Sequence, residues 1–192
     1  MLYCLLKSIG IFLFKIFFGL KVEGKENIPK KGGVLIASNH ISYLDPIVAG
    51  LACPRRLFFL AKKELFDNPL FSHLIKSVGA IPIKRGYADL RALREAMRKI
   101  DEGKALLVFP QGRRTKRLDD GIKRGIILIA KKTGAPVVCA HIQGTDKALP
   151  RGAKRIMFEK IKVVFFPPVR FGQGDTEESI SQTILRNIYF LS

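Results

Sequence analysis

The sequence predicts an α/β domain in which a largely parallel central sheet is flanked by helices. Three observations carry that expectation. From about residue 20 onward, short apolar runs alternate with amphipathic stretches. Several of the runs lack polar alternation, as strands buried on both faces do. The stretches between them repeat apolar residues at helical spacing. With 192 residues, one domain with a sizeable core is expected. The chain divides into an N-terminal helix, residues 1–20, and an α/β domain, residues 21–192.

The elements follow in order. "MLYCLLKSIGIFLFKIFFGL" opens the chain, apolar but interrupted by Lys7 and Lys15. Helical spacing places Lys7, Ser8 and Lys15 on one narrow stripe opposite a broad Leu/Ile/Phe face. That pattern predicts a membrane-associated helix lying in the interface, with a span, or an apolar helix packed on its own domain, as the alternatives. "GVLIASN", "RLFFLAK", "GAIPIKR", "ALLVFP", "PVVCAHI" and "IKVVFFPPV" read as strands. Leu90, Leu93, Met97 and Ile100 mark a helix over residues 87–102. "GIKRGIILIAKKTG" is a second, ending at Gly134, and "TEESISQTILRNIYFLS" a third.

Charge narrows the partners. Thirty-four Lys and Arg against 16 Asp and Glu give +18, yet mean hydropathy is +0.13, which argues against disorder. A basic, apolar-rich chain fits an anionic membrane surface, phosphorylated substrates or nucleic acid. The basic residues are scattered in pairs, and no nucleic-acid motif or aromatic platform accompanies them, so no nucleic acid is expected. Cys4, Cys53 and Cys139 form neither a CxxC pair nor a disulfide framework. A reducing compartment follows, with Cys53 and Cys139 as buried small side chains and no metal site.

Chemistry gathers where strands end. "NHISYLDP", residues 39–46, follows a strand. On a helix His40 and Asp45 would differ by about 140° and face apart, so the two meet only if the chain turns between them. Pro46 suits the first turn of a helix starting there. If they meet, the carboxylate fixes the imidazole tautomer and the ring takes a proton from a hydroxyl. The alternative is that Asp45 is only a helix cap and His40 a loop residue. In "FPQGRRT", Gly112 permits a tight turn, with backbone N–H groups available to an anion. Arg113 and Arg114 bring guanidinium forks suited to phosphate. Lys84 and Arg85 could close the same pocket from the neighbouring strand. His73, in a short helix over "NPLFSHLIKS", reads as a packing or surface residue. His141 sits near a strand end and has a weaker claim on the pocket.

These blocks, taken in order, resemble the glycerolipid acyltransferase family, and within it the bacterial 1-acylglycerol-3-phosphate acyltransferases. "NHISYLDP" looks like its N-H-x4-D block. "KSVGAIPIKRG" is similar to the second block, with Lys76, Gly79 and Arg85 at the family's spacing. "FPQGRRT" resembles the third, usually F-P-E-G-T-R-S, and "GAPVVCAHIQGTDKALPRG" the fourth, with Pro136 at the strand start. "IKRG" matches a stretch preceding the fourth, with Lys123 and Gly125. The likeness runs from about residue 20 to 170. Gln111 departs from the usual Glu and Arg113 from the usual Thr, which leaves acceptor identity open while favouring phosphate.

The resemblance implies the glycerolipid acyltransferase fold and transfer of a fatty acyl group to the sn-2 hydroxyl of lysophosphatidic acid, making phosphatidic acid. His40 and Asp45 would be catalytic. Lys84, Arg85, Gln111, Gly112 and Arg114 would bind substrate. No cofactor is implied; acyl carrier protein or CoA carries the acyl thioester. The expected place is the cytoplasmic face of the inner membrane. Another lysolipid acceptor, or a non-catalytic membrane adaptor, remains the alternative.

Overall fold

A computed structural model describes residues 2–84, 89–115, 121–172 and 174–189. Its elements are α1 (Leu2–Phe18), β1 (Lys21–Glu23), β2 (Val34–Ser38), α2 (Asp45–Ala52), β3 (Leu57–Lys62), α3 (Pro69–Ser77) and β4 (Ala80–Ile83). They continue as α4 (Leu90–Asp101), β5 (Ala105–Val108), α5 (Arg124–Thr133), β6 (Val137–Gln143), α6 (Thr145–Ala148), β7 (Lys162–Phe165) and α7 (Glu177–Tyr189). The sheet order is β1-β7-β6-β2-β5-β3-β4.

Five strands, β2 to β6, run parallel, as the sequence predicts. β7 reverses against β6, and the three-residue β1 pairs with β7. β2 lies between β5 and β6 and is buried throughout. Its side chains alternate between two cores, as a strand's period of two requires. Val34 and Ile36 join α2, Phe14 and Phe18 on one face. Leu35 and Ala37 join α4, α5 and α7 on the other.

Element ends have local causes. Gly134, with φ +56°, closes α5 where the sequence places its end. β7 stops at Phe165 because Pro167 and Pro168 have no N–H to extend a ladder. Gly79 precedes β4 with φ +100°, and a Cβ there would lie 2.4 Å from the Leu57 carbonyl oxygen. Only glycine lets the chain turn so close to β3.

α1 departs from the expected stripe. Lys7 faces the domain, donates to the Cys53 carbonyl oxygen, and is held below the ordinary amine range by burial. Ser8 and Lys15 are exposed. The broad apolar face serves two surfaces: Ile11, Phe14 and Phe18 turn inward, while Leu5, Ile9, Phe12 and Ile16 face out. The helix is about 26 Å long, short of a hydrocarbon core of about 30 Å. No helix among the described residues is long and apolar enough to cross a membrane.

Candidate functional site

The site is built where β2 ends. The Asn39 side chain donates to the Ile142 carbonyl oxygen at 2.8 Å and accepts from the Ile142 N–H at 2.7 Å. An amide side chain thus replaces the next rung of the β2–β6 ladder, which stops at Ser38 and Ala140. Freed from the sheet, the chain turns through residues 41–44 and enters α2 at Asp45.

That turn brings the two expected residues together. His40 Nδ1 lies 2.8 Å from Asp45 Oδ2. The same oxygen accepts from the N–H groups of Ile41 at 2.6 Å and Ser42 at 2.7 Å. Asp45 Oδ1 accepts from the Thr145 hydroxyl at 2.6 Å. Asp45 therefore does not cap α2; Leu44 occupies the cap position, without a side-chain bond. The carboxylate is fully buried and His40 is 9% exposed.

The hydrogen-bond pattern fixes the tautomer. A carboxylate only accepts, so Nδ1 carries the hydrogen and Nε2 presents its lone pair. The imidazole stacks on Phe109, just past β5, with ring centroids 4.1 Å apart. Ring plane and proton position are thereby both set. Ser42 does not enter this pair: its hydroxyl donates to the Leu149 carbonyl oxygen at 3.0 Å.

The third block closes over the same loop. Thr115 N–H donates to the His40 carbonyl oxygen at 2.8 Å. Arg114 lays its guanidinium over the exposed Tyr43 ring, 3.5 Å from the centroid, which holds a cation at the loop's rim. Gln111 is buried and donates to the Tyr189 hydroxyl of α7. Gly112 has φ +66°, the turn its sequence predicts, and its N–H donates to the Phe109 carbonyl oxygen at 2.9 Å. That N–H completes the turn itself.

Lys84 stands apart from these groups. β4 is the sheet's edge and pairs with β3, so it does not neighbour the strand carrying Gln111 and Arg114. Two strands separate it from β2, a distance of about 14 Å at the usual strand spacing. Lys84 is exposed and lines a groove of ≈ 1090 Å³ with Lys63, Arg91, Arg94 and Arg98. The groove's lining includes neither His40 nor Asp45. Arg85 lies outside the described residues.

The other candidates are placed as follows. His73 is exposed on α3. His141 is half-buried on β6, where its Nδ1 meets the Ile188 carbonyl oxygen of α7. Cys53 and Cys139 are buried, and burial pushes the Cys139 thiol up to about 12. No group of three or more His, Cys, Asp or Glu among the described residues could hold a metal. Sequence reasoning gave no role to Asn39, Tyr43, Phe109 or Thr145. All four lie inside quoted blocks; Asn39, Tyr43 and Phe109 stand beside expected residues, while Thr145 is 100 residues from its partner.

The acyltransferase family profile matches residues 19–143, which includes β2, the His40 loop and β5. The chain belongs to the acyltransferase family. Among its relatives, the 1-acyl-sn-glycerol-3-phosphate acyltransferase of Bacillus subtilis is 33% identical over 153 residues, covering 79% of this chain and 74% of that protein. A probable enzyme of the same name from Mycoplasma pneumoniae is 31% identical, over 95% of this chain and 73% of its own. The crystal structure of the LPA acyltransferase PlsC from Thermotoga maritima superposes with a TM-score of 0.81 at 29% identity. That match covers 98% of this acyltransferase-family chain and 77% of the other.

Proposed function

We infer that this chain is a 1-acyl-sn-glycerol-3-phosphate acyltransferase, an O-acyltransferase that converts lysophosphatidic acid to phosphatidic acid in phospholipid biosynthesis. The observation that carries the reading is the buried Nδ1–Oδ2 contact of 2.8 Å between His40 and Asp45. It belongs to a chain whose relatives carry that enzyme name.

In the proposed mechanism, His40 Nε2 takes the proton from the sn-2 hydroxyl as its oxygen attacks the acyl thioester carbonyl. Asp45 balances the charge that develops on the ring. The tetrahedral intermediate collapses by breaking the C–S bond, and the imidazolium returns the proton to the leaving thiolate. One C–O bond replaces one C–S bond, so neither an enzyme nucleophile nor a cofactor is required. The thioester is carried by acyl carrier protein or CoA.

Arg114, supported on Tyr43, is proposed to hold the acceptor phosphate. Arg85 is proposed to bind the same phosphate, whereas Lys84, on the edge strand, is proposed to meet substrate only through its separate basic groove. Gln111 and Gly112 are proposed to shape the acceptor side of the pocket. We place the enzyme at the cytoplasmic face of the inner membrane, with α1 lying in the interface. Its exposed Leu5, Ile9, Phe12 and Ile16 support this placement.

Product analysis with purified protein in vesicles tests the reading. Lysophosphatidic acid and either thioester should yield phosphatidic acid. A panel of other lysolipids should turn over more slowly; faster turnover of one of them would reassign the acceptor. Vesicle binding without transfer to any lysolipid would leave only the adaptor reading.

A further inference from the structure

Residues 151–160, "RGAKRIMFEK", are exposed at every position. Ile156, Met157 and Phe158 stand at the centre of this run, and Phe158 is 72% exposed. Arg151, Lys154, Arg155 and Lys160 surround them, with Glu159 as the one carboxylate. A folded chain does not ordinarily place three consecutive large apolar side chains in water.

The segment is not a detached loop. Phe158 stacks on Phe17 of α1 with ring centroids 5.3 Å apart, and lies 6.0 Å from the Phe18 ring. Ile161 N–H donates to the Phe18 carbonyl oxygen at 2.9 Å. Met157 N–H donates to the Ala148 carbonyl oxygen at 2.8 Å, on the short helix that carries Thr145. The apolar centre of the segment therefore continues the outward face of α1. Both elements are also tied to Asp45: α6 supplies its Thr145 partner, and α1 packs on the α2 helix that Asp45 begins.

Charge decides what covers this face. A second copy would bring the same four cations against themselves, from a chain of net charge +18. An anionic leaflet supplies the opposite charge and an apolar layer at the depth of the Ile-Met-Phe cluster. We propose that residues 151–160 are a second membrane-insertion element: Ile156–Phe158 enter the interface beside α1 while Arg151, Lys154, Arg155 and Lys160 bind anionic headgroups. This rests on the reading of α1 as an interfacial helix. With two elements in the membrane, the orientation of the His40 loop towards the leaflet is fixed, where a single helix leaves the domain free to swing.

The chain has no tryptophan, so Phe158→Trp and Phe12→Trp each install a single tryptophan that can be excited apart from the tyrosines. Vesicles of phosphatidylcholine with phosphatidylglycerol should blue-shift the emission of both, and brominated lipid should quench both. Replacing Arg151, Lys154 and Arg155 together by Gln should weaken vesicle partitioning about a hundredfold and leave acyl transfer in detergent unchanged. If Phe12→Trp responds and Phe158→Trp stays water-exposed, residues 151–160 are not an insertion element, although α1 is. If neither responds, the interfacial reading of α1 fails with it. A blue shift of Phe158→Trp that grows with protein concentration in the absence of vesicles would assign the face to a second copy and overturn the proposal.

Discussion

Asp45 holds four hydrogen bonds on two oxygens, one of them to His40. Asp45→Asn keeps the shape, and the Ile41 and Ser42 N–H groups keep its amide oxygen towards Nδ1. What it removes is the negative charge that balances the imidazolium as His40 takes the proton. The expected loss is on the order of 10²–10³-fold in kcat, measured beside a thermal melt showing a folded protein. Thr145→Val is a milder test. It removes the bond to Oδ1 and leaves the His40 contact, so roughly a tenfold loss in kcat is expected, of the size of one lost bond to a charged group. Spacing and the following proline left the pair open between a catalytic couple and a helix cap; the ordered blocks that resemble a known family made it legible. Thr145 was not. Nothing local marks a threonine whose partner is 100 residues away; only the adjacency of β2 and β6 brings them together.

Elements show the same division between local and global information. The strands and amphipathic helices announce themselves by period, and the described boundaries differ from the expected ones by a few residues. Strand order does not announce itself. Chain order alone left β4 free to lie beside β5, whereas β3 separates them. The reversal of β7 and the addition of β1 depend on pairing across the sheet, which three residues such as "KVE" cannot signal. Gly79 is the point where sequence and order meet, because β4 docks on β3 through it. Gly79→Ala forces a Cβ to within 2.4 Å of the Leu57 carbonyl at a positive φ. It should destabilise the fold by roughly 2 kcal/mol or more, read as a lowered urea midpoint with unchanged slope.

The buried face between the sheet and α7 has a pH signature. Burial holds His141 below its ordinary value, against the opposing pull of the Ile188 carbonyl. The unfolded chain therefore takes up this proton near pH 6.5, before the folded chain does. Stability from this residue is complete above about that pH and is lost as pH falls towards the folded value. His141→Gln should flatten the acid limb in urea titrations between about pH 8 and about pH 5. An unchanged limb would place the acid sensitivity elsewhere.

His40, oriented by Asp45, is the proposed base for the acceptor hydroxyl. The decisive experiment is the turnover of lysophosphatidic acid to phosphatidic acid by the folded protein and by His40→Ala, at saturating acceptor and thioester. The expected result is a fall in kcat of roughly 10³-fold with vesicle binding and thermal stability retained. A variant that keeps more than about a tenth of the kcat, while folded and membrane-bound, would contradict the assignment of His40 as the base.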